Sequence, residues 1–346
     1  MKKIGVLMIG SAVLCASAQA QSSGGQVDLF GALDSFVGST KVSGATASTA
    51  KVGNGGLTSS FWGMKGNEDL GGGVHAIFDL QSYVLIQNGQ AGRTTHDSFF
   101  SYNAYVGLSG PFGTVTFGQQ ANPLFLAQAR FNPFSGSITL NPVIVQSYLA
   151  AYGRALAGDD EMSNAVIYQS PVAKGLSTTL AYSFGNVAGA PGTNNVLAML
   201  DYTNNAFAAT AGMERIKIPT YPNAPAANLG AASDQLTVHA AASYDFTWIK
   251  LYAEYQRTNN GGVARKDNIG QIGATIRINP FNNILVSWAR DYITYGRAPH
   301  VYHNTASIAY DYLLSARTDT YLAYSYDKVS DLGTGNTVIA GIRHRF

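Results

Sequence analysis

The segment Gln235–Phe246, QLTVHAAASYDF, alternates between apolar and polar side chains along most of its length. Leu236 and Tyr244 fall on the apolar side, whereas Thr237 and Asp245 fall on the polar side. A period of two residues is typical of a β-strand with one apolar and one wet face. A strand of about ten residues is long enough to cross the hydrocarbon core of a membrane. The segment therefore predicts a membrane strand or one strand of a soluble sandwich.

The same alternation recurs elsewhere in the chain, for instance over residues 249–256 and 271–278. A soluble β-sandwich would alternate in the same way, so one segment leaves that alternative open. Several of the apolar faces end on aromatic side chains, namely Tyr244, Phe246, Tyr255, Tyr310, Tyr312, Tyr324, Tyr326 and Phe346. Rings at strand ends suit the two interfacial girdles of an outer-membrane barrel, and a sandwich core does not need them. The chain as a whole favours the barrel.

The connections between these segments are alternately short and long. Short ones, rich in Gly, Pro and Asn, fall at residues 67–73, 110–113, 171–175, 203–205 and 279–283. Long polar ones fall at residues 39–56, 185–195, 218–233 and 258–266. Short turns at one end and long loops at the other are the arrangement of outer-membrane barrels. The pattern predicts an all-β fold, a transmembrane antiparallel β-barrel of about 16 strands with a water-filled lumen.

The N-terminus has the three parts of a secretory signal peptide. Lys2 and Lys3 form its basic region, and Ile4–Leu14 forms its apolar region. Ala18 and Ala20 form a small-x-small cleavage site. The apolar region is too short for a spanning helix, which takes about 20 apolar residues. The predicted parts of the chain are a signal peptide, residues 1–20, and a single barrel domain, residues 21–346.

Cleavage at this site would remove the single cysteine of the chain, Cys15. A lipoprotein processed at Cys15 is the alternative, but Leu14 stands where such a signal has a small residue. A mature chain without cysteine excludes a disulfide scaffold, a thiolate metal site and a cysteine nucleophile. It would also be formally neutral, with 22 − 2 = 20 basic residues against 20 acidic ones. Its charge therefore predicts no nucleic-acid partner.

One connection, residues 121–163, is far longer than the others. A connection of more than about 15 residues in a compact fold is usually functional or disordered. This one is rich in apolar side chains, including Leu124, Phe125, Phe131, Phe134, Leu140, Val143, Ile144, Val145, Tyr148 and Tyr152. Such side chains need a surface to pack against, so we expect this third long loop to fold into the lumen.

Five stretches carry a family resemblance. They are Val27–Asp34, Ser60–Gly73, Ala104–Gly113, Ser163–Pro171 and Gly341–Phe346. In order and spacing they resemble the trimeric general porins of Gram-negative bacteria, specifically the betaproteobacterial type. The resemblance covers the whole of the predicted mature chain.

This resemblance implies a multi-pass protein of the outer membrane that forms a passive aqueous channel for ions and small hydrophilic solutes. It implies no enzymatic activity, no cofactor and no bound metal. The implied partners are further copies of the chain in a homotrimer, outer-membrane lipid and lipopolysaccharide, the barrel-assembly machinery and small solutes.

The resemblance also implies that the long loop narrows the pore, with its acidic residues facing basic residues on the wall. Opposed charges would make a transverse field that filters solutes. The acids of the loop are Asp159, Asp160 and Glu161, all at its exit, and its bases are Arg130 and Arg154. Its middle is apolar. We therefore expect a weakly charge-selective pore that favours aromatic or amphipathic solutes.

Three residues are candidates for the wall of the lumen. Alternation from the neighbouring apolar positions turns Lys65, His75 and Asp79 inward. Because a barrel interior is polar throughout, a solvated side chain away from the constriction is the alternative for each. Family members often carry arginine just before the Ala-Tyr-Val-Gly-Leu stretch, where this chain has Tyr102 and Asn103. That departure puts a full ladder of wall arginines in doubt.

The C-terminus alternates as well. Val338, Ala340, Ile342, His344 and Phe346 occupy alternate positions and would form one apolar edge on the lipid side. By resemblance, the row that ends in Ile342, His344 and Phe346 is a barrel-assembly signal. A final strand that ends on phenylalanine by chance is the alternative.

Two other functions remain open. A barrel enzyme would need a nucleophile and a base close together, but the six histidines are scattered over positions 75, 96, 239, 300, 303 and 344. We interpret His300 and His303 as surface residues of a loop and not as metal ligands. A channel specific for a small organic acid, an aromatic compound or a sugar would differ only in having a solute site.

Overall fold

The computed structural model describes residues 25–95, 97–149, 155–186, 194–217, 234–262 and 264–346. The strands are β1 (Gln26–Lys41), β2 (Thr49–Asn54), β3 (Phe61–Gly71), β4 (Val74–Leu85), β5 (Gln90–Ala91), β6 (Asn103–Gly110), β7 (Gly113–Ala121), β8 (Glu161–Gln169), β9 (Leu176–Ser183), β10 (Asn195–Asn204), β11 (Phe207–Lys217), β12 (Asp234–Asp245), β13 (Ile249–Gly261), β14 (Arg265–Asn279), β15 (Asn282–Tyr295), β16 (Val301–Leu313), β17 (Thr318–Val329) and β18 (Gly333–Arg345). The helices are α1 (Pro123–Arg130) and α2 (Pro142–Tyr148). Several residues named from the sequence lie outside the described residues, namely those of the signal region, with Cys15, Ala18 and Ala20, together with His96, Tyr152 and Arg154. The predicted loop at residues 218–233 and most of the one at residues 185–195 also lie outside them.

The strands form one closed antiparallel barrel. β2 and β3 pair with successive halves of β1, so together they make a single barrel strand that residues 55–60 interrupt. β5 is two residues long and pairs only with the end of β4. Of 18 strands, 18 − 2 = 16 therefore make up the barrel, and the pairing of β1 with β18 closes it. The predicted β-barrel and its number of strands are confirmed.

The closing seam runs between the two ends of the described chain. Gly31 and Phe346 exchange two backbone hydrogen bonds of 3.1 Å each. A Cβ atom on Gly31 would lie 2.6 Å from the Phe61 carbonyl oxygen and 2.8 Å from the Phe346 ring. The last ring of the chain therefore packs over a position that only glycine can occupy without a collision.

Each barrel strand turns alternate side chains outward and inward. In β12, Leu236 and Val238 are 40% and 43% exposed on the outside, whereas Thr237 and His239 are each 1% exposed on the inside. Ile342 and Phe346 likewise face outward on and just beyond β18. The alternation predicted from the sequence is confirmed, and it gives the barrel an apolar outer face and a polar lumen.

Short turns lie at one end of the barrel, which we call the turn end, and longer connections lie at the other, the loop end. Two predicted long loops are wrong in extent. β1 and β2 extend into residues 39–56, and β13 and β14 extend into residues 258–266. There the ladder continues through pairs such as Asn259 with Lys266, because polar side chains do not prevent strand pairing where water can reach them.

The longest connections at the loop end are L2, residues 86–102 between β4 and β6, and L3, residues 122–160 between β7 and β8. L3 is the third long connection. It contains α1 and α2, which pack on the inner faces of β10–β12 and β14–β16. The predicted folding of this loop into the lumen is confirmed, although its exit comes earlier than expected, since Glu161 is the first residue of β8. Neither helix of the described ranges is long and apolar enough to span a membrane.

We expect Gly31→Ala to weaken closure of the barrel, because the new methyl group would press on both the Phe61 carbonyl and the Phe346 ring. The cost should be about 1–3 kcal/mol, as for other overpacked sites. The measurement is the urea dependence of folding into lipid vesicles, followed by the gel mobility of folded and unfolded protein. The matched control is Gly270→Ala, where the new atom would meet nothing within 4 Å. Equal stability of the two variants would contradict the prediction.

Candidate channel constriction

Helix α1 is fixed to the barrel wall by its polar residues. The Asn122 side chain caps the helix by accepting a hydrogen bond from the Leu124 N–H, at 2.9 Å. Its amide nitrogen donates to Glu214 of β11 at 2.8 Å. One further turn along, the Gln128 amide donates to Gln256 of β13 at 2.5 Å. The residue that starts the helix thus also positions it against the wall.

Helix α2 is attached in the same way on the neighbouring strands. Asn141 caps it by accepting from the Val143 N–H at 3.0 Å. The Gln146 amide donates to the His303 carbonyl at 3.2 Å and to the Thr305 hydroxyl at 3.1 Å. Both helices therefore use an asparagine cap and a buried glutamine to hold L3 inside the barrel.

The tip of L3 binds the interruption between β2 and β3. The Ser137 hydroxyl donates to the Gly56 carbonyl at 2.6 Å, and the Thr139 hydroxyl donates to the Gly55 carbonyl at 2.9 Å. The chain can leave the ladder here because Gly56 has no side chain, since a Cβ would collide with the Tyr321 hydroxyl. The interruption frees two carbonyl groups that the loop then uses.

The apolar side chains of L3 are buried between the loop and the wall. The buried ones include Leu124, Phe125, Phe131, Phe134, Leu140, Val143, Ile144 and Val145. Phe134 and Leu140 pack with Leu57 and Tyr321 of the wall, for example. Leu126, by contrast, is 43% exposed. The apolar residues of the loop therefore serve to attach it to the wall. They give little support to the expectation of an apolar pore.

The three acids at the exit of L3 contact Arg93, a residue of L2 that the sequence analysis did not single out. Arg93 lies 3.2 Å from Asp159 and 2.6 Å from Glu161, and it also pairs with Asp160. Asp160 accepts a further hydrogen bond, of 2.7 Å, from the Tyr83 hydroxyl. These carboxylates could in principle hold a cation, but the guanidinium group already occupies the space among them.

Two groups of L2 have shifted pKa values in this cluster. Burial opposes the charged guanidinium, but the charges of Asp159 and Glu161 outweigh it and raise the pKa of Arg93. Burial also opposes the ionised form of Asp97. Hydrogen bonds from the Arg93 backbone and the guanidinium charge outweigh it and lower the pKa of Asp97. The pair is therefore charged at neutral pH.

On the wall, Lys65 and Asp79 are cross-strand neighbours on the inner face of β3 and β4. The Lys65 ammonium lies 4.9 Å from the centre of the Phe30 ring. His75 also points inward, but it lies beside the turn end and its Nδ1 is 2.9 Å from the Asn67 side-chain oxygen. The structure thus brings Lys65 and Asp79 together and leaves His75 apart from L3.

Several further basic residues of the lumen near the turn end are paired along the wall. Arg130 of L3 lies 3.1 Å from Asp201 of β10. Further pairs join Arg277 to Asp245 at 2.7 Å, Arg343 to Asp319 at 2.9 Å and Arg345 to Asp319 at 3.1 Å. Alternation along β14 and β18 turns Arg277 and Arg343 inward. The sequence pattern alone could therefore have identified these two residues as lumen residues.

Among the described residues, the histidines form no cluster that could hold a metal ion. His303 is not the loop residue that the sequence indicated. It lies in β16, buried, with its Nε2 2.7 Å from the Asp327 carboxylate. Ser43 donates to the same carboxylate at 2.6 Å. His300 precedes the strand and packs on Tyr292 on the outer side.

A closed barrel of 16 strands with a loop folded into its lumen is the architecture of an outer-membrane channel. The profile of the Gram-negative porin family matches residues 6–332 of the chain. The chain belongs to this family. This porin therefore lies in the outer membrane of a Gram-negative cell, where it forms a passive diffusion channel. The members of the family are porins and not enzymes.

Named relatives of this porin span nearly its whole length. An outer membrane porin of Bordetella pertussis is 28% identical over 396 residues, which cover 98% of this chain and 99% of the relative. Outer membrane porin protein 32 of Delftia acidovorans is 27% identical, with 94% of this chain and 90% of the relative covered.

Solved structures show the same fold. The anion-selective porin from Comamonas acidovorans superimposes with a TM-score of 0.78 and is 24% identical, covering 93% of this chain and 100% of its own. The trimer form of OmpT of Vibrio cholerae superimposes with a TM-score of 0.65 and is 13% identical, covering 93% and 99%. At these identities the likeness supports the fold alone.

We expect Ser137→Ala to loosen the tip of L3. The substitution removes the bond to Gly56 and also the acceptor for the Leu140 and Thr139 N–H groups. Removing one partner of a buried hydrogen bond costs about 1–3 kcal/mol. Single-channel recordings should therefore show more frequent brief closures and higher open-channel noise.

The control for this variant is Ser315→Ala. Ser315 accepts bonds from the Arg317 and Thr318 N–H groups in the same manner, but it lies in an exposed turn. Its recordings should match those of the unmodified porin. If Ser137→Ala showed no more closures and no more open-channel noise than Ser315→Ala, the position of the L3 tip would not depend on the hydrogen bonds of Ser137.

Proposed function

We propose that this porin passes ions and small hydrophilic solutes with only a weak preference for the sign of their charge. The observation that carries the proposal is the pairing of several bases with acids of the same wall, as in Arg130 with Asp201 and Arg277 with Asp245. Adjacent opposite charges largely cancel each other's field, and salt screens what remains beyond a Debye length, which is about 10 Å at 0.1 M salt. A strong field across the pore would need unpaired charges facing each other.

We also infer which charged residues border the aperture. Arg130 and Asp159 project from L3 with exposed side chains, and Lys65 lies exposed on the inner wall next to Asp79. His75 lies nearer the turn end and is a solvated lumen residue. The relative from Comamonas acidovorans is described as anion-selective, so a weak anion preference here would be compatible with the proposal.

We expect Asp201→Asn to raise anion permeability, because it leaves the Arg130 guanidinium without its partner carboxylate. One unpaired charge beside a narrow aqueous path should change the anion-to-cation permeability ratio by about two- to threefold at low salt. The measurement is the reversal potential of reconstituted channels in a potassium chloride gradient.

The control is Asp234→Asn, which breaks a pair of similar geometry, 2.5 Å from Arg215, on the outer side of the barrel. It should leave the reversal potential unchanged. Strong selectivity of the unmodified porin, or an unchanged ratio in Asp201→Asn, would refute the proposal.

The charges on the outer face suggest which partners the barrel meets. Among the described residues, the outward strand positions of β2–β10 carry one charged side chain, Glu68, near the turn end. Those of β11–β17 form a basic rim at the loop end, made of Arg215, Lys217, Arg257, Lys266, Arg290 and Lys328. Asp234 is the one acid of this rim. We propose that the basic rim contacts the phosphate groups of outer-leaflet lipid and lipopolysaccharide.

If lipid covers the basic rim, subunit contacts belong on the side of the barrel with few charged residues. We propose that the porin is a homotrimer that associates through the outer faces of β1–β4. Val27, Leu29 and Val37 of β1 are each at least 60% exposed there. The trimer form of the Vibrio cholerae protein is consistent with this arrangement.

We expect Leu29→Asn to weaken the trimer selectively. The matched control is Ile272→Asn on β14, where the wild-type side chain is 60% exposed against 63% for Leu29. Both variants place one amide on the outer face, so both pay the same cost against lipid. Gel mobility after mild heating should show monomer at a lower temperature for Leu29→Asn only. Equal dissociation of both would place the interface elsewhere.

We further propose that the outward row of Ile342, His344 and Phe346 is the segment that the barrel-assembly machinery binds. The row lies beside the closing seam, where His344 Nδ1 is 2.9 Å from the Thr318 hydroxyl. A factor bound there would hold β18 until β1 pairs with it.

A further inference from the structure

We propose that Arg93 of L2 is a specificity-determining residue of this channel, one that limits the negative charge at the base of L3 and clamps the loop there. The inference deepens the proposed weak charge selectivity and rests on it. It concerns a residue outside L3 and outside the barrel wall, in a loop that the pattern of the sequence gave no reason to place in the lumen.

Among the described residues, the cluster around Arg93 contains more acids than bases. The guanidinium contacts Asp159, Asp160 and Glu161, and it also lies 3.1 Å from Asp97 of its own loop. Elsewhere in the described lumen, a base contacts a single acid, as Arg130 does with Asp201. This cluster is the place where the balance of the channel is most easily disturbed.

The local structure of L2 directs Arg93 into the lumen. Gly92 has a φ of +78°, and a Cβ there would lie 2.7 Å from the Cβ of Asp97. The Asp97 carboxylate accepts the Arg93 N–H at 2.7 Å and so fixes the turn. The guanidinium then lies 5.2 Å from the centre of the Tyr83 ring. Its side chain is only 22% exposed, which is low for arginine.

The same guanidinium holds the base of L3. Ala121, at the end of β7, pairs with Glu161 at the start of β8. The Asn122 N–H, in the cap of α1, donates to the Asp160 carbonyl at 2.8 Å. Arg93 contacts the acids of this junction, where L3 leaves the wall and returns to it. Loss of Arg93 would leave these acids without its positive charge and would also weaken the attachment of L3.

On the wall beside this cluster, Tyr102 stacks on Tyr83 with ring centres 4.6 Å apart. Arg93 reaches the same aromatic pair from L2. Asp159 has a side chain that is 48% exposed, so removal of the Arg93 charge beside it leaves more negative charge within reach of permeating ions.

The decisive variant is Arg93→Gln in the full-length porin reconstituted in planar bilayers. We expect the cation-to-anion permeability ratio to rise about threefold at 0.1 M salt. The change should largely disappear at 1 M salt, where the Debye length is about 3 Å. A purely structural role would not produce this dependence on salt.

Two further variants separate charge from clamping. Arg93→Lys keeps the charge, but a single ammonium cannot make the forked contacts of a guanidinium. We expect it to keep the selectivity of the unmodified porin and to show more channel closures. Adding Asp159→Asn to Arg93→Gln should return the ratio toward the starting value.

The matched control is Arg290→Gln on the outer face, where the guanidinium lies 4.3 Å from the centre of the Tyr302 ring. It should leave selectivity unchanged. The proposal is overturned if Arg93→Gln folds and trimerises normally but its ratio at 0.1 M salt equals that of the control.

If Arg93→Gln does not fold, Asp159→Asn alone serves as the test, with an expected shift toward anions. No shift in that variant would also overturn the proposal. Both tests compare a variant with its parent. A strongly selective parent would therefore refute the proposed function and leave the role of Arg93 to be decided by the shift alone.

Discussion

The hydrogen bonding of the backbone in lipid is the constraint on which the rest of this structure depends. An unpaired N–H or C=O group in hydrocarbon costs several kcal/mol, so a sheet that spans the membrane must close on itself. Closure here is completed by the pairing of β1 with β18 and by the two bonds between Gly31 and Phe346. Once the ring is closed, every strand has one face toward lipid and one toward water. The apolar outer surface and the polar lumen follow from that division.

A polar lumen has little apolar surface to offer, which explains how L3 is built. The loop brings its own apolar residues and packs them against the few apolar positions of the inner wall, such as Leu57 and Tyr321. Asparagine caps and buried glutamines add hydrogen bonds within the loop and between the loop and the wall. The break between β2 and β3 supplies carbonyl groups for the tip. Both apolar packing and polar contacts therefore hold L3 against the wall.

The charges of the lumen are arranged differently from what the family resemblance implied. Acids at the exit of L3 were expected to face bases across the pore. They are instead gathered around Arg93, and Arg130 is paired with Asp201 on the wall beside it. Pairs of this kind stabilise the loop and cancel much of their own field. On the function proposed above, selectivity would depend on small local excesses of charge such as the cluster at the base of L3.

The barrel, the outward row that ends in Phe346 and the place of the long loop could all be predicted from the sequence. The reason is that the alternation of side chains is a local property of each strand. The predicted ends of β1 and β13 and the predicted position of His303 were wrong, because polar residues at the loop end can extend a strand as well as form a loop. Tertiary structure alone decided the partners of the charged groups. Arg93 and Asp159 are 66 positions apart, and no periodicity relates them. Their contact exists only because L2 and L3 fold into the same lumen, whose geometry is fixed by closure of the whole sheet.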